Sequence, residues 1–517
     1  MKINRTKNAS RNIVFGMVLK LYQIIMPFFM RTLMIYFMGV EYLGLTSLFT
    51  SILQVLNLAE LGVGSALVFS MYKPIAEDDT KTICALMKLY RTYYRFIGLA
   101  IAVIGLILTP FIPNLVKSDL PHGLNIYVLY LLNLSATVLS YWLFAYKNSL
   151  FQAHQRTDVV SKISLATNTF LYLIQIIVIL YIKDYYLYVI DILITQVVTN
   201  VVTAMVATKK YPDFKPEGKL PKEEVRNITH RIRDLFTSKI GFVIVNSADT
   251  IVISAFLGLT VLAVYQNYYF VLTSVIGIIT IIFQSCTAGI GNSIITETKE
   301  KNFYDLKKFT LLISWIGCFC SSCFLLLFQP FMKLWVGENL MLSYSAVICF
   351  VVYFFIYEIN QLLNTYKDAA GIWHEDRFRP MVTAFANLAM NLIMVQFWGI
   401  YGVLLSTVLS TVIVGMPWLL HNLFTVLFDK SQMFPYIRNL IVYTLSSACI
   451  CFVTYLAGCF IQLSVIPTLI VRGIICCIIP NISFVIIFRK NKEFKECVAL
   501  IDKITKHKLP LIKNINN

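Results

Sequence analysis

FIGLAIAVIGLILTPF, Phe96 to Phe111, is a run of the chain without a charged side chain. Leu440 to Ile461, LIVYTLSSACICFVTYLAGCFI, is a second such run. Roughly 20 apolar residues cross the hydrocarbon core of a bilayer as a helix, and buried strands of soluble proteins are far shorter. Both runs therefore predict membrane-spanning helices.

Similar apolar runs recur along all 517 residues, which are 58% hydrophobic and only 14% charged. The mean hydropathy of +0.72 leaves too few polar groups to cover a water-soluble surface. Reading the runs between charged or Pro/Gly-rich breaks predicts an all-α integral membrane protein with about fourteen transmembrane helices. The net charge of +17 does not indicate nucleic-acid binding, because no soluble segment is long enough to fold into a basic domain.

The basic residues report the topology instead. They concentrate at the N-terminus, in segments 71–95 and 209–235 and in the C-terminal tail, whereas the opposite connections hold only Lys117, Lys183 and Lys333. The positive-inside rule then predicts a multi-pass membrane protein with both termini in the cytoplasm. The first apolar run, 12–39, is too long for a signal-peptide core and lacks a small-residue cleavage site, so it is interpreted as a retained helix.

An internal repeat divides the predicted helices. Tyr146-Lys147 and His154 recur as Tyr366-Lys367 and His374, about 220 residues later, and 38–43 resembles 257–262 at nearly the same spacing. The repeat predicts two parallel six-helix bundles around a central cavity, plus two extra C-terminal helices. The predicted segments are an N-terminal bundle 1–208, a basic cytoplasmic linker 209–235, a C-terminal bundle 236–428, helices 13 and 14 in 429–489, and a basic cytoplasmic tail 490–517. Within 489–513 of this tail, apolar residues at helical spacing predict an amphipathic helix at the membrane interface.

Two basic residues of the first span are candidates for an anion path. Lys20 and Arg31 are separated by three helical turns and fall on nearly one stripe. Cations inside a span are costly and normally face a cavity or a partner, and a guanidinium binds phosphate oxygens bidentately. Alternatively, Lys20 extends to the interface and Arg31 pairs with Asp249 or Glu41. Lys239 is a further candidate near the cytoplasmic entrance.

Polar residues also follow one side of the second span. Spacings of three and four residues place them on one face of a helix, which suits the binding of sugar hydroxyls. The alternative is hydrogen bonding between helices. These substrate-binding candidates are Ser47, Thr50, Gln54, Asn57 and Glu60.

Asp249 and Glu358 are the acids expected deep in the second bundle, where each serves either as an ion-coupling group or in a charge pair. Cys320 and Cys323 form a C-x-x-C pair without the further ligands of a zinc site, so no metal is assigned. The sequence contains no phosphate-binding loop, no dinucleotide fingerprint and no nucleophile elbow. We therefore expect no catalytic residue, no cofactor and no enzymatic activity.

Four segments resemble bacterial polysaccharide-transport flippases: Arg31 to Leu45 (RTLMIYFMGVEYLGL), Ala59 to Asp79 (AELGVGSALVFSMYKPIAEDD), Ala153 to Ile163 (AHQRTDVVSKI) and Asp249 to Gly258 (DTIVISAFLG). These flippases belong to the multidrug, oligosaccharidyl-lipid and polysaccharide exporter superfamily. The resemblance implies a V-shaped twelve-helix core and outward transport, by alternating access, of undecaprenyl-pyrophosphate-linked oligosaccharides for capsule, exopolysaccharide or O-antigen synthesis. Arg31 stands where related flippases have functional arginines. Membrane lipids are implied as partners, and association with a polysaccharide polymerase or glycosyltransferases is left open, as is ion coupling.

Three other functions compete with this interpretation. A drug or cation antiporter of the same superfamily would share the fold, although such antiporters typically have twelve spans. A membrane-embedded polysaccharide polymerase would need a sizeable outer loop for its catalytic groups, and the outer connections are short. A non-transporting scaffold for capsule synthesis would leave the charges inside the spans unexplained.

Overall fold

The computed structural model describes residues 5–60, 62–117, 120–121, 123–461 and 463–504. These residues form eighteen α-helices and no strand. The helices are α1 (Arg5–Phe37), α2 (Val40–Leu56), α3 (Val63–Ala76), α4 (Thr80–Leu108), α5 (Ile126–Trp142), α6 (Asn148–Ala153), α7 (Thr157–Ile177), α8 (Tyr185–Lys210), α9 (Lys222–Leu257), α10 (Leu259–Thr296), α11 (Lys299–Val336), α12 (Tyr344–Ala369), α13 (Arg379–Trp398), α14 (Ile400–Ser410), α15 (Met416–Val426), α16 (Met433–Cys459), α17 (Val465–Phe488) and α18 (Lys492–Ile504).

Eleven helical segments in the described part of the chain are long and apolar enough to cross a membrane. Two of them continue through a π-helical turn: α7 extends to Ile182, and α14 joins α15. The number rises to twelve if α5 and the segment Ala145–Ala153, which meet at an angle of 49°, cross the membrane as one broken span. Two shorter apolar helices, Val40–Leu56 and Val243–Leu257, complete the set. The predicted all-α membrane fold is confirmed, and the helix number agrees with about fourteen.

The chain divides into two compact units, Met1–Ala263 and Val264–Asn517. Helix α9 packs against α2 and α3 and so belongs to unit 1. Short polar side chains cap the starts of α4 and α8 in unit 1: the carboxylate of Asp79 accepts a hydrogen bond from the backbone N–H of Thr82, and that of Asp184 accepts one from the N–H of Tyr186. Such caps satisfy amide groups that a helix leaves without partners in its first turn.

Glycines form the repeated turns at 38–43 and 257–262. Gly39 (φ +134°) joins α1 to α2, and Gly258 (φ +94°) joins α9 to α10, so both positions adopt backbone that favours glycine. Gly44 then lets α2 approach the start of α10, because a Cβ there would lie only 2.4 Å from the Leu259 carbonyl oxygen. The sequence repeat thus corresponds to a repeated local structure.

The C-terminal amphipathic helix α18 was expected to contact the membrane interface, but its apolar face packs against other helices of unit 2. The side chains of Phe494, Cys497 and Val498 on α18 are buried in a hydrophobic cluster with residues of α11, α16 and α17. The ammonium group of Lys307 on α11 lies 3.0 Å from the carboxylate of Glu493. The apolar face that was predicted to meet the membrane interface is therefore covered by unit 2.

Buried ion pairs stabilise the turns that carry the Tyr-Lys and His repeat. In unit 1, Arg156 contacts both carboxylate oxygens of fully buried Asp158, at 2.8 and 3.1 Å. In unit 2, Arg379 contacts both oxygens of Asp376, at 2.6 and 2.7 Å, and Lys367 lies 3.6 Å from the same carboxylate. The arginine precedes the aspartate in the first turn, and the aspartate precedes the arginine in the second. Each turn therefore contains a buried ion pair, but the residues that form it do not occupy equivalent positions in the repeat.

His154 gives the first of these turns a dependence on pH. Its ring is buried, stacks on Tyr211 at 4.4 Å and contacts the Leu150 carbonyl through Nδ1 at 2.8 Å. Burial lowers the pKa of His154 below 6.5, and the positive charge of Lys210 lowers this pKa further. Because the unfolded chain then binds the proton more strongly, the contribution of His154 to stability is complete above pH 6.5 and is lost as the pH falls towards the folded-state pKa.

We therefore expect the thermal unfolding midpoint of the purified native protein to be lower at about pH 5 than at about pH 7. The midpoint of His154→Phe should decrease less over this range, because phenylalanine stacks on Tyr211 but does not titrate. His374→Gln is the matched control, since His374 is the repeat equivalent and is exposed. An equal acid-induced loss of stability in His154→Phe and the native protein would show that other groups cause the pH dependence.

Candidate functional site

Arg31 is a charged residue within the first long apolar helix. Pro27, one turn earlier in α1, cannot donate a backbone hydrogen bond and so weakens the helix locally. The neighbouring side chains of Met30 and Met34 are buried, whereas Arg31 is half-buried. Arg31 therefore lies beside packed residues of α1.

A phenol and an acid of α8 accompany Arg31. Tyr188 interacts electrostatically with both Arg31 and Asp191. The side chain of Asp191 is 4% exposed, and among the described residues its Oδ2 has no hydrogen-bond partner. Arg31 has further contacts within the chain, so this cation is positioned by protein groups. Tyr188 thus links a basic residue of α1 to a buried acid of α8.

The other two basic candidates have different surroundings. Lys20 lies on α1 and is exposed, in contrast to Arg31. Lys239 lies within α9, but its side chain is outside the described part of the structure. The structure therefore distinguishes Arg31 from Lys20, although the two were predicted on one stripe.

The polar stripe of α2 begins with residues that make few contacts to other helices. Ser47 is half-buried, and the exposed Thr50 donates its hydroxyl to the Thr46 carbonyl at 2.7 Å, one turn earlier in the same helix. Gln54 is also exposed, and its side-chain oxygen lies 3.5 Å from the Ser247 hydroxyl of α9, a long and hence weak hydrogen bond. These three side chains retain capacity to bind a ligand.

The stripe ends at Asn57 and Glu60, where the helix becomes a 3₁₀ turn, Asn57–Glu60. Tyr94 donates its hydroxyl to Glu60 at 2.5 Å, and Tyr141 lies 3.1 Å from the Asn57 oxygen and 3.2 Å from Glu60. The hydroxyl of Tyr90 lies 3.0 Å from that of Tyr94. The acid is thus fixed by phenols from α4 and α5, and both oxygens keep further lone pairs for another donor.

The two predicted ion-coupling acids lie in different units. Asp249 is half-buried on α9 in unit 1 and has contacts within the chain. Glu358 lies on α12 in unit 2 and is only 1% exposed. Among the described residues, neither oxygen of Glu358 has a hydrogen-bond partner. A charge pair therefore does not account for the burial of Glu358.

Sequence reasoning missed the tyrosines around Glu60 and underestimated Asp191. Tyr90 and Tyr94 are one helical turn apart, so a polar edge on α4 could have been recognised. Asp184 caps α8 two turns before Asp191, so Asp191 lies inside the helix. Recognition of that cap would have identified Asp191 as a buried acid.

An apolar groove of about 360 Å³ lies in unit 2, between α11, α12 and α16. Its lining is almost entirely aliphatic and aromatic. Residues such as Leu325, Ile348, Val352, Phe355 and Phe452 form its walls. A hydrocarbon chain matches this lining, because the groove offers few hydrogen-bonding groups.

The fold and these intramembrane polar groups define a polytopic membrane protein with a transporter fold. The structure resembles the lipid II flippase MurJ in an inward closed conformation, with a TM-score of 0.68 and 16% identity over 92% of this chain and 99% of that one. An inward-facing MATE multidrug transporter of the MOP superfamily gives a TM-score of 0.61 and 13% identity over 79% and 98% of the two chains. A MOP superfamily transporter from Pyrococcus furiosus gives 0.51 and 12%, over 83% and 96%. At these identities the likeness establishes the fold.

The chain belongs to the family of polysaccharide biosynthesis proteins, whose model matches residues 9–287, just over half of the sequence. This match confirms the resemblance indicated by the segments between Arg31 and Gly258. The search of curated proteins found no match.

Proposed function

We propose that this protein is a flippase that moves undecaprenyl-pyrophosphate-linked oligosaccharides from the inner to the outer leaflet of the bacterial cell membrane. Its family supports a role in polysaccharide biosynthesis, and its fold is shared with MOP superfamily transporters. In the predicted topology, both termini lie in the cytoplasm. Transport to the outer leaflet would supply the subunits of a capsule, exopolysaccharide or O-antigen.

The observation that carries the proposal is Arg31. Arg31 is a half-buried residue of a helix long and apolar enough to cross the membrane, and its guanidinium interacts with the phenol of Tyr188. A fixed cation at this depth is expensive unless it has a function, and a planar guanidinium matches two phosphate oxygens at once. A pyrophosphate is therefore the ligand that Arg31 fits best.

Other features suit the remaining parts of such a lipid. Ser47, Thr50 and Gln54 would bind sugar hydroxyls, with Asn57 and Glu60 accepting further hydrogen bonds beside the tyrosines. The apolar groove of unit 2 would accept part of the prenyl chain. Lys20 and Lys239 would attract the anionic head group before it reaches Arg31, because both lie on helices with cytoplasmic ends in the predicted topology.

The proposal is tested in vesicles that contain the purified protein and a fluorescent undecaprenyl-pyrophosphate oligosaccharide. We expect the protein to accelerate leaflet exchange of this lipid, and to move the monophosphate analogue at least about tenfold more slowly, since a charge-assisted hydrogen bond is worth about 1.5–3 kcal/mol. Vesicles without protein are the control. Transport of small organic cations without any movement of the lipid would replace the flippase with an antiporter.

A further inference from the structure

Glu358 is a buried acid that the proposed substrate path leaves without a role. It lies in the middle of α12, a helix long and apolar enough to cross the membrane. Its side chain is 1% exposed, and both carboxylate oxygens lack a hydrogen-bond partner among the described residues. Most buried polar groups in proteins are hydrogen-bonded, so this residue requires an explanation.

Among the described residues, no basic group pairs with Glu358 to balance an ionised carboxylate. Helix α12 packs against α11, α14 and α15, and its aromatic rings contact α10 through Tyr269 and Tyr353. Cys320 and Tyr357 interact electrostatically with Glu358. Within the described part of the chain, no ion pair or hydrogen bond joins Glu358 to a titratable residue on these elements, among them Tyr265 and Tyr269 on α10, Cys320 on α11, Tyr357 on α12, Tyr401 on α14 and His421 on α15.

The cost of ionisation decides the state of this carboxyl group. An ion without a partner in a protein interior loses far more hydration energy than a neutral acid does. The carboxyl group therefore carries a proton in this conformation. It can become an anion only when unit 2 rearranges and water reaches it, so its protonation and the conformation of unit 2 depend on each other.

We propose that Glu358 is a proton-binding site that couples conformational change in unit 2 to proton movement. Glu358 takes a proton from water when the site is open to one side, stays neutral while buried, and returns the proton to water when the site opens to the other side. No other reactant is needed. The coupling to lipid transport rests on the proposed flippase function, whereas proton binding by Glu358 does not.

Glu358→Gln tests the proposal because glutamine keeps the shape of the protonated acid but cannot release a proton. A gradient of about one pH unit can change the distribution of a proton-coupled lipid between leaflets by up to about tenfold. We expect the native protein to respond to an imposed proton gradient and Glu358→Gln to show no response. Glu375→Gln is the matched control, since Glu375 is an exposed acid of the same unit.

Infrared spectroscopy gives a second readout that does not require transport. The native protein should show the C=O band of a protonated carboxylic acid near neutral pH, and Glu358→Gln should lack it. Absence of this band from the native spectrum would overturn the proposal, as would an unchanged gradient response in Glu358→Gln. If the native protein moves no lipid, the flippase function fails, and the infrared band still decides whether Glu358 binds a proton.

Discussion

Arg31→Ala should slow the movement of undecaprenyl-pyrophosphate oligosaccharide by about a hundredfold. Alanine removes the guanidinium that would bind the pyrophosphate, and loss of charge-assisted hydrogen bonds worth about 3 kcal/mol corresponds to about that factor. Arg31→Lys should recover part of the rate, because lysine keeps the charge but not the bidentate geometry. The measurement is the initial rate of leaflet exchange in reconstituted vesicles.

Arg31 also has contacts within the chain, so its structural contribution must be measured separately. Each variant is compared with the native protein by thermal unfolding, and Arg226→Ala, which changes an exposed arginine of α9, is the control for loss of a positive charge. If Arg31→Ala unfolds at a much lower temperature and the surviving protein transports normally, Arg31 is a structural residue. If the variant is stable and moves the lipid at the native rate, the proposed anion path is wrong.

Arg379→Met should lower the free energy of unfolding by about 3–5 kcal/mol. Removing one member of a buried ion pair leaves the other charge uncompensated, and that range is typical of the effect. Asp376 is 2% exposed and would keep only Lys367 at 3.6 Å and the Asn422 amide at 3.0 Å. We expect a value near the lower end, because these two contacts retain part of the stabilisation.

Arg377→Met provides the comparison, because Arg377 is two residues away but exposed and packs over the Phe378 ring at 4.7 Å. The measurement is the equilibrium between folded and unfolded protein in mixed micelles of increasing denaturing detergent. Equal stability losses in Arg379→Met and Arg377→Met would contradict the assignment of the stabilisation to the buried pair with Asp376.

Much of the fold could be predicted from the sequence because hydrophobicity and length determine where a helix can cross a membrane. Most of the runs at 96–111 and 440–461 lies in α4, which ends at Leu108, and in α16, which ends at Cys459. The repeat at Gly39 and Gly258 marks two equivalent turns. The two short apolar helices, Val40–Leu56 and Val243–Leu257, also coincide with apolar runs of the sequence.

The partners of amphipathic and polar residues could not be predicted in the same way. The pattern in 489–513 predicts a helix, but the same apolar face can meet lipid or protein, and Phe494 meets Trp315 and Phe484 in the bundle. Glu60 was predicted on a polar stripe, and its hydrogen bonds come from Tyr94 and Tyr141, which are far away in sequence. Contacts between distant helices depend on packing, which periodicity does not specify.

Glu358 illustrates a different limit. The sequence identifies it as an acid inside a span, with coupling and ion pairing as equal alternatives. Only the structure distinguishes a carboxylate with a basic neighbour, as at Asp376, from one that is buried without a hydrogen-bond partner among the described residues.

The most direct test of the flippase function is to determine, in living cells, the leaflet in which the lipid-linked oligosaccharide accumulates after the protein is depleted. An impermeant reagent that oxidises sugars is applied to intact spheroplasts, and the modified fraction of the lipid is measured. We predict that the fraction modified falls steeply on depletion and recovers with the native protein but not with Arg31→Ala. Accumulation of lipid that remains fully accessible from outside would contradict the proposed function, because translocation would then proceed without this protein.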